Sequence, residues 1–229
     1  MLKAVIFDLD DTLYDEMQFV RSGFRAVAEY IEGKNKIDKN VVYQKLLESL
    51  KVYGRGNTFD IVLKELNIFT DGFVSGLVKV YRSHTPVLTL AVEAEDLLKV
   101  LKERGYKLGI ITDGDVGVQK KKVETLRIKD FFDCLVFSDE YGVDKQKPNK
   151  FPYQKALDVL EVRPQESMYL GDNPNKDFVT AKKMGMYTVR IKKDMYANLN
   201  INPSHEAHYQ IDSLSDAIDI IGKIDSNER

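Results

Sequence analysis

Five short apolar runs, the first four closing on charged or hydroxyl side chains, constrain this chain more than any other feature. They are "AVIFDLD" (4–10), "KLGIIT" (107–112), "DCLVFS" (133–138), "SMYLGD" (167–172) and "YTVRI" (187–191). Runs of this length without polar alternation suit strands buried on both faces. Between the later runs the spacing turns helical. Residues 93–105 place Leu97, Leu98 and Leu101 on one face and stop at Gly105, while 151–162 repeat Tyr153, Ala156, Leu157 and Leu160. The segment 177–185 again ends in glycine, the residue a helix C-terminus favours, and 214–223 make a last helix. Strands alternating with helices predict an α/β chain with a parallel sheet and crossover helices.

Residues 15–84 have a different texture. Phe24, Val27, Ala28 and Ile31 form one helical stripe, and Val42, Leu46, Leu47 and Leu50 a second. Phe59, Val62, Leu63 and Leu66 form a third, and Phe73, Leu77, Val78 and Tyr81 a fourth. Four amphipathic helices with no strand between them make a small bundle. The expected organisation is therefore a sheet domain of 1–14 and 85–229 with a four-helix insert of 15–84.

Composition narrows the partners. Among 229 residues the formal net charge is −2, which offers no electrostatic reason to expect nucleic acid. No apolar run approaches the roughly 20 residues of a membrane span. The chain enters its first strand without a signal-peptide pattern, so a cytoplasmic protein, monomer or homodimer, is expected. The single cysteine, Cys134, excludes an internal disulfide and reads as a small apolar strand residue.

In a parallel sheet, ligands sit beyond the carboxyl ends of the strands. This chain puts Asp8, Asp10, Asp11 and Thr12 after its first strand and "TDG", Thr112 to Gly114, after the second. It puts "SDEYGVDKQKP" (138–148) after the third and "GDNPNKD", with Asp172 and Asp177, after the fourth. Clustered carboxylates repel one another unless a cation joins them. Oxygen-only ligands favour a hard ion such as Mg²⁺, which keeps coordination positions for water and phosphate oxygens. A bound phosphate then needs donors, for which the Thr112 hydroxyl, the backbone N–H groups of Asp113 and Gly114, and a lysine are candidates.

These motifs resemble the haloacid dehalogenase superfamily, specifically its aspartate-nucleophile phosphatases. The D-x-D-x-T motif reads "DLDDT" (8–12), the Thr ending the second strand is Thr112, the lysine motif reads "GVDKQKP", and G-D-x-x-x-x-D reads "GDNPNKD" (171–177). The resemblance implies a Rossmann-like core with helices on both faces and an inserted helical-bundle cap. It also implies an Mg²⁺-dependent phosphatase acting on a small phosphorylated metabolite through an aspartyl-phosphate. Asp8 would be the nucleophile and Asp10 the general acid and base. Lys145 would neutralise charge, and Thr112 would hold the phosphate. Asp8, the carbonyl of Asp10 and Asp172 would bind the metal, with Asp177 holding a metal water or orienting the lysine. Counting without gaps from Gly142-Val143 to Pro148 puts the family lysine on Lys145, with Lys147 the alternative. Asp113 stands where the family commonly has Asn, so only its N–H is expected to face the phosphate. Dehalogenases of the family lack an acid at the position of Asp10, so its presence favours phosphate esters.

The insert is expected to close over the rim and choose the substrate, with Arg55 in "YGRGNTF" (53–59) and Tyr14 as candidate substrate contacts. A sugar-phosphate mutase and a non-hydrolytic phospho-ligand binder are the competing functions. His84 reads as a capping or packing residue, and His205 and His208 lack further metal ligands. The lysine runs 120–122, 182–183 and 192–193 read as solvated faces.

Overall fold

The computed structural model describes residues 1–193, 196–197, 199 and 201–227, apart from the side chain of Asn227. It divides into two compact units, 1–15 with 89–229, and 16–88. The helical pattern places the insert at 15–84, so the units differ from it at both ends: Asp15 goes with the sheet unit and residues 85–88 with the insert.

The insert consists of α1 (Met17–Asn35), α2 (Lys39–Tyr53), α3 (Thr58–Glu65) and α4 (Asp71–Ser83). Side-chain oxygens of Asp38 and Thr70 accept from backbone N–H groups in the first turns of α2 and α4, giving those helices defined starts. Phe24, Val27, Ile31, Val42, Leu46, Leu63 and Leu77 pack into one apolar cluster, which is why the four stripes are visible in the sequence. His84, after α4, is buried, with Nδ1 2.6 Å from the Tyr81 carbonyl and Nε2 2.8 Å from Ser22 Oγ.

The other unit is built on a six-stranded sheet. Its elements are β1 (Ala4–Phe7), α5 (Val92–Glu103), β2 (Lys107–Thr112), α6 (Val116–Thr125), β3 (Cys134–Phe137), α7 (Lys150–Leu160), β4 (Ser167–Gly171), α8 (Val179–Met184), β5 (Tyr187–Ile191), β6 (Tyr209–Ile211) and α9 (Ala217–Asn227). Strand order is β3-β2-β1-β4-β5-β6, and every pairing is parallel. Ala4 and Ile6 join α7 and α8 in one buried cluster. Val5 and Phe7 point to the opposite face and are also wholly buried, so both faces of β1 are covered. The sixth strand, β6, has no counterpart in the sequence pattern: three residues, one exposed, leave too little to read. α6 is read in the sequence only as the helix that carries lysines 120–122, because VGVQKKKVET has weak amphipathic contrast.

This topology positions the site. β1 lies between β2 and β4, with Phe7 opposite Ile110 on one side and Leu170 on the other. The chain therefore leaves all three strands at the same edge, where the order of the sheet reverses direction. No described helix is long and apolar enough to cross a membrane.

Leu46 is wholly buried in the insert. Leu46→Ala is expected to cost about 2–5 kcal/mol through lost burial and the cavity left behind. Urea unfolding followed by circular dichroism checks it, and a loss under about 1 kcal/mol contradicts this packing.

Candidate active site

β1 ends at Phe7, earlier than the apolar pattern suggests, and Asp8 opens a turn. The Asp8 N–H donates to the Leu170 carbonyl at 2.9 Å, anchoring the turn to β4. Asp11 adopts a φ of 52°, and the Leu13 N–H returns to the Leu9 carbonyl at 3.0 Å. Residues 8 and 10 of a continuing strand would share one face; the left-handed Asp11 then turns the chain out of the strand direction. Thr12 is wholly buried, and among the described residues its hydroxyl finds no hydrogen-bond partner.

Asp8 is buried, and its Oδ1 accepts from the Leu9 N–H and the Lys147 ammonium, each at 2.8 Å. Lys147 also lies 2.9 Å from Asp177 Oδ1 and donates to the Tyr169 hydroxyl at 2.9 Å. Here the structure corrects the ungapped count. Lys145 lies at the surface, paired with its neighbour Asp144 at 2.7 Å, and it is Lys147 that reaches Asp8. The reason is local. Val143–Lys145 form a 3₁₀ turn, which uses up residues without advancing the chain as an extended loop would. The Lys147 N–H is then fixed to Asp113 Oδ1 at 3.1 Å. The Lys-Pro pair, at 147–148 rather than 145–146, was the signal that could have found it.

Asp172 and Asp177 follow β4. Asp177 is wholly buried, and its Oδ2 accepts from the Asn173 N–H at 3.0 Å. Gly171 makes this possible, because a Cβ there would fall 2.5 Å from Asp177 Oδ2. Ligand atoms of Asp8, Asp172 and Asp177 all lie within 4.8 Å of one another.

The electrostatics of this cluster are uneven. Burial pushes Asp8 up to about 6, against the pull of Lys147. Burial, then the carboxylates of Asp8 and Asp177, push Asp172 up to about 9. Burial works against the charge on Lys147, yet Asp177 and Asp8 hold its pKa well above the ordinary lysine range. One buried ammonium thus faces three buried carboxylates. The set lacks positive charge and offers oxygen donors only, which fits a hard divalent cation.

Asp10 faces a different group of residues. Its Oδ1 accepts from Tyr14 OH at 2.5 Å, Lys122 Nζ contacts both oxygens at 2.7 and 2.8 Å, and Gln119 Nε2 reaches Oδ2 at 3.0 Å. Burial opposes the charge on Asp10, but Lys122 and these hydrogen bonds hold its carboxyl below the usual range. Tyr14, a candidate substrate contact, is wholly buried and spends its hydroxyl on Asp10 instead. Lys122 is buried as well, so the reading of 120–122 as a solvated face fails at its last residue. It lies four residues after Val118 and four before Leu126, on the inward stripe of α6, a position its spacing already marked.

Thr112 is buried at the end of β2, next to β1. Asp113 turns its carboxylate away along the loops: Oδ1 accepts from Ser138 Oγ at 2.7 Å, and Oδ2 meets Lys176 Nζ at 3.0 Å. Despite burial, Lys147 and Lys176 keep this carboxyl below its ordinary value. The sequence reading missed Lys176, which compensates the aspartate that stands in place of Asn. Gly114, at φ 112°, directs its N–H to Asp139 Oδ1 at 3.0 Å, so its expected role as a phosphate donor is not what the geometry supports. Arg55 belongs to the insert, where it pairs with Glu16 at 2.5 Å.

Residues 5–191 match the model of the haloacid dehalogenase-like hydrolases. The chain is 32% identical to a glyceraldehyde 3-phosphate phosphatase of Pyrococcus furiosus, over 100% of its own length and 96% of the relative's. It is 33% identical to the enzyme of the same name from Methanocaldococcus jannaschii, over 96% of this chain and 97% of that one. Its fold is similar to the crystal structure of a phosphatase of this family from Thermococcus onnurineus, with a TM-score of 0.65, 26% identity, and coverage of 96% and 98% of the two chains. With buried carboxylates, a buried lysine and this sheet topology already in place, the match extends over nearly the whole chain: it belongs to the haloacid dehalogenase-like hydrolases and stands among the phosphatases of that family.

Proposed function

We propose that this hydrolase cleaves a small phosphate monoester in two steps through an aspartyl-phosphate on Asp8, with Mg²⁺ as cofactor. The observation that carries the reading is Lys147, fixed 2.8 Å from Asp8 and 2.9 Å from Asp177 beside the Asp172 carboxylate. A nucleophilic carboxylate held by a buried cation, beside a site for a second cation, suits attack on an anionic phosphoryl group. The names of the full-length relatives support a three-carbon phosphorylated aldehyde such as glyceraldehyde 3-phosphate as the first substrate to try.

In the first step Asp10, ionised beside Lys122 at rest, takes up the proton of the monoprotonated phosphate ester; an Asp8 oxygen then bonds to phosphorus as the ester P–O bond breaks, and the leaving oxygen takes that proton from Asp10. In the second, Asp10 accepts a proton from water as that water releases orthophosphate and restores Asp8. Lys147, rather than Lys145, offsets charge on Asp8 and the phosphoryl oxygens, and Thr112 donates to the phosphate. Asp177 orients Lys147. Asp8, the Asp10 carbonyl and Asp172 would hold Mg²⁺, which supplies charge neutralisation and alignment of the phosphoryl group. The full set of residues favours hydrolysis over simple phospho-ligand binding, which needs no acid at position 10.

Asp8→Asn is expected to lower Mg²⁺-dependent turnover of p-nitrophenyl phosphate at least a thousandfold with an unchanged circular dichroism spectrum. Turnover within tenfold of wild type removes Asp8 as nucleophile. Lys147→Met is expected to lose at least a hundredfold in kcat/KM, whereas Lys145→Met stays within about twofold. The Lys147 change also leaves buried carboxylates uncompensated and should cost about 3–5 kcal/mol in a urea melt. The reverse ranking restores Lys145.

The acidic cluster also makes stability depend on pH. Asp172 has a folded pKa of about 9, raised far above that of an unfolded aspartate, so the folded state binds the extra proton between those values. Its contribution is full below the unfolded value and is lost as pH rises through about 9. In EDTA, Tm is therefore expected to fall between pH 6 and 9, and added Mg²⁺ to raise Tm more at pH 8.5 than at pH 6. A Mg²⁺ shift that is absent, or larger at pH 6, contradicts the assignment.

A further inference from the structure

We propose that Lys122 is a positioning residue for Asp10, holding the acid/base carboxylate in the orientation that serves the leaving oxygen and the attacking water. The proposal rests on the acid/base reading of Asp10 above. A buried lysine is costly wherever an apolar side chain would fit, and Lys122 occupies the inward stripe of α6 between Val118 and Leu126. Its neighbour Lys120 shows the cheaper arrangement, half-exposed and paired with Glu140.

Asp10 needs outside support because it lies on a turn, between the end of β1 and the left-handed Asp11. Its side-chain torsions are set by contacts rather than by regular structure. Lys122 spans both carboxylate oxygens at 2.7 and 2.8 Å, which restrains the plane of the group as well as its position. Gln119, one turn earlier on α6, donates to Asp10 Oδ2 at 3.0 Å and to the Asp113 carbonyl at 2.7 Å. Asp10 is thereby tied to the loop that follows Thr112. Gly114 leaves space for this link, since a Cβ there would come 3.2 Å from Gln119 Nε2. Tyr14 adds its hydroxyl, 2.5 Å from Asp10 Oδ1. A lysine that only stitched α6 to the sheet would have no reason to select the one carboxylate whose direction the chemistry requires.

Two substrates of nearly equal shape separate positioning from scaffolding. The p-nitrophenolate of p-nitrophenyl phosphate leaves without a proton, whereas the phenolate of phenyl phosphate leaves poorly without one. For Lys122→Met, kcat/KM for phenyl phosphate is expected to fall at least tenfold more than kcat/KM for p-nitrophenyl phosphate, and Lys122→Arg to recover most of the difference. Equal losses on both substrates, or no recovery by Lys122→Arg, overturn the proposal. If Lys122→Met does not fold, Lys122→Gln carries the same comparison. Asp10→Asn is measured alongside. If it shows the selective loss and the Lys122 variants do not, the positioning role alone fails. If Asp10→Asn shows none, the acid reading of Asp10 fails and the role of Lys122 with it.

Discussion

A lysine ammonium removed from water must find anions within contact distance or lose its proton, and Lys147 meets that constraint by sitting between Asp8 and Asp177. Three segments distant in sequence are held together by this one group. Asp8 comes from the turn after β1, Asp177 from the loop after β4, and Lys147 from the loop that leads into α7. The Lys147 N–H adds the loop after β2 through Asp113. Gly171 belongs to the same constraint, since any side chain there would displace Asp177.

The same device recurs around the rim. Lys122 compensates Asp10, and Lys176 compensates Asp113. In each case the lysine comes from a different loop or helix than the aspartate, so each pair joins two separate segments as well as balancing charge. Asp172 differs. Burial first, and then the neighbouring carboxylates, push its pKa up to about 9. Two aspartates of the rim are thus compensated by their own lysines while a third cluster stays anionic, which places Asp10 in a different electrostatic setting from Asp8 and Asp172.

Much of this is legible in the order of residues alone. A parallel strand buried on both faces has to end where polar groups can reach water or ligand, so the first charged residue after each apolar run marks the rim. That logic locates Asp8 and Asp172, Thr112 and Asp177 follow from the motifs around them, and the helical stripes locate the insert. It fails where the answer depends on backbone path. Counting residues places the lysine at 145 because a count assumes constant rise, and a 3₁₀ turn breaks that assumption. It fails again where the answer depends on what a side chain or an N–H group meets. Tyr14 and Gly114 look available to substrate in the sequence, yet Asp10 and Asp139 engage them in the fold.

By itself the sequence determined the alternation of strands and helices, the place of the insert, and the residue types gathered at the strand ends, because periodicity and the cost of burying charge act locally along the chain. Only the tertiary structure decided which lysine faces which aspartate. Lys122 and Asp10 are 112 residues apart, and nothing local to either marks the other. Their pairing follows from the direction in which α6 packs and the turn taken after β1, and those are properties of the assembled sheet.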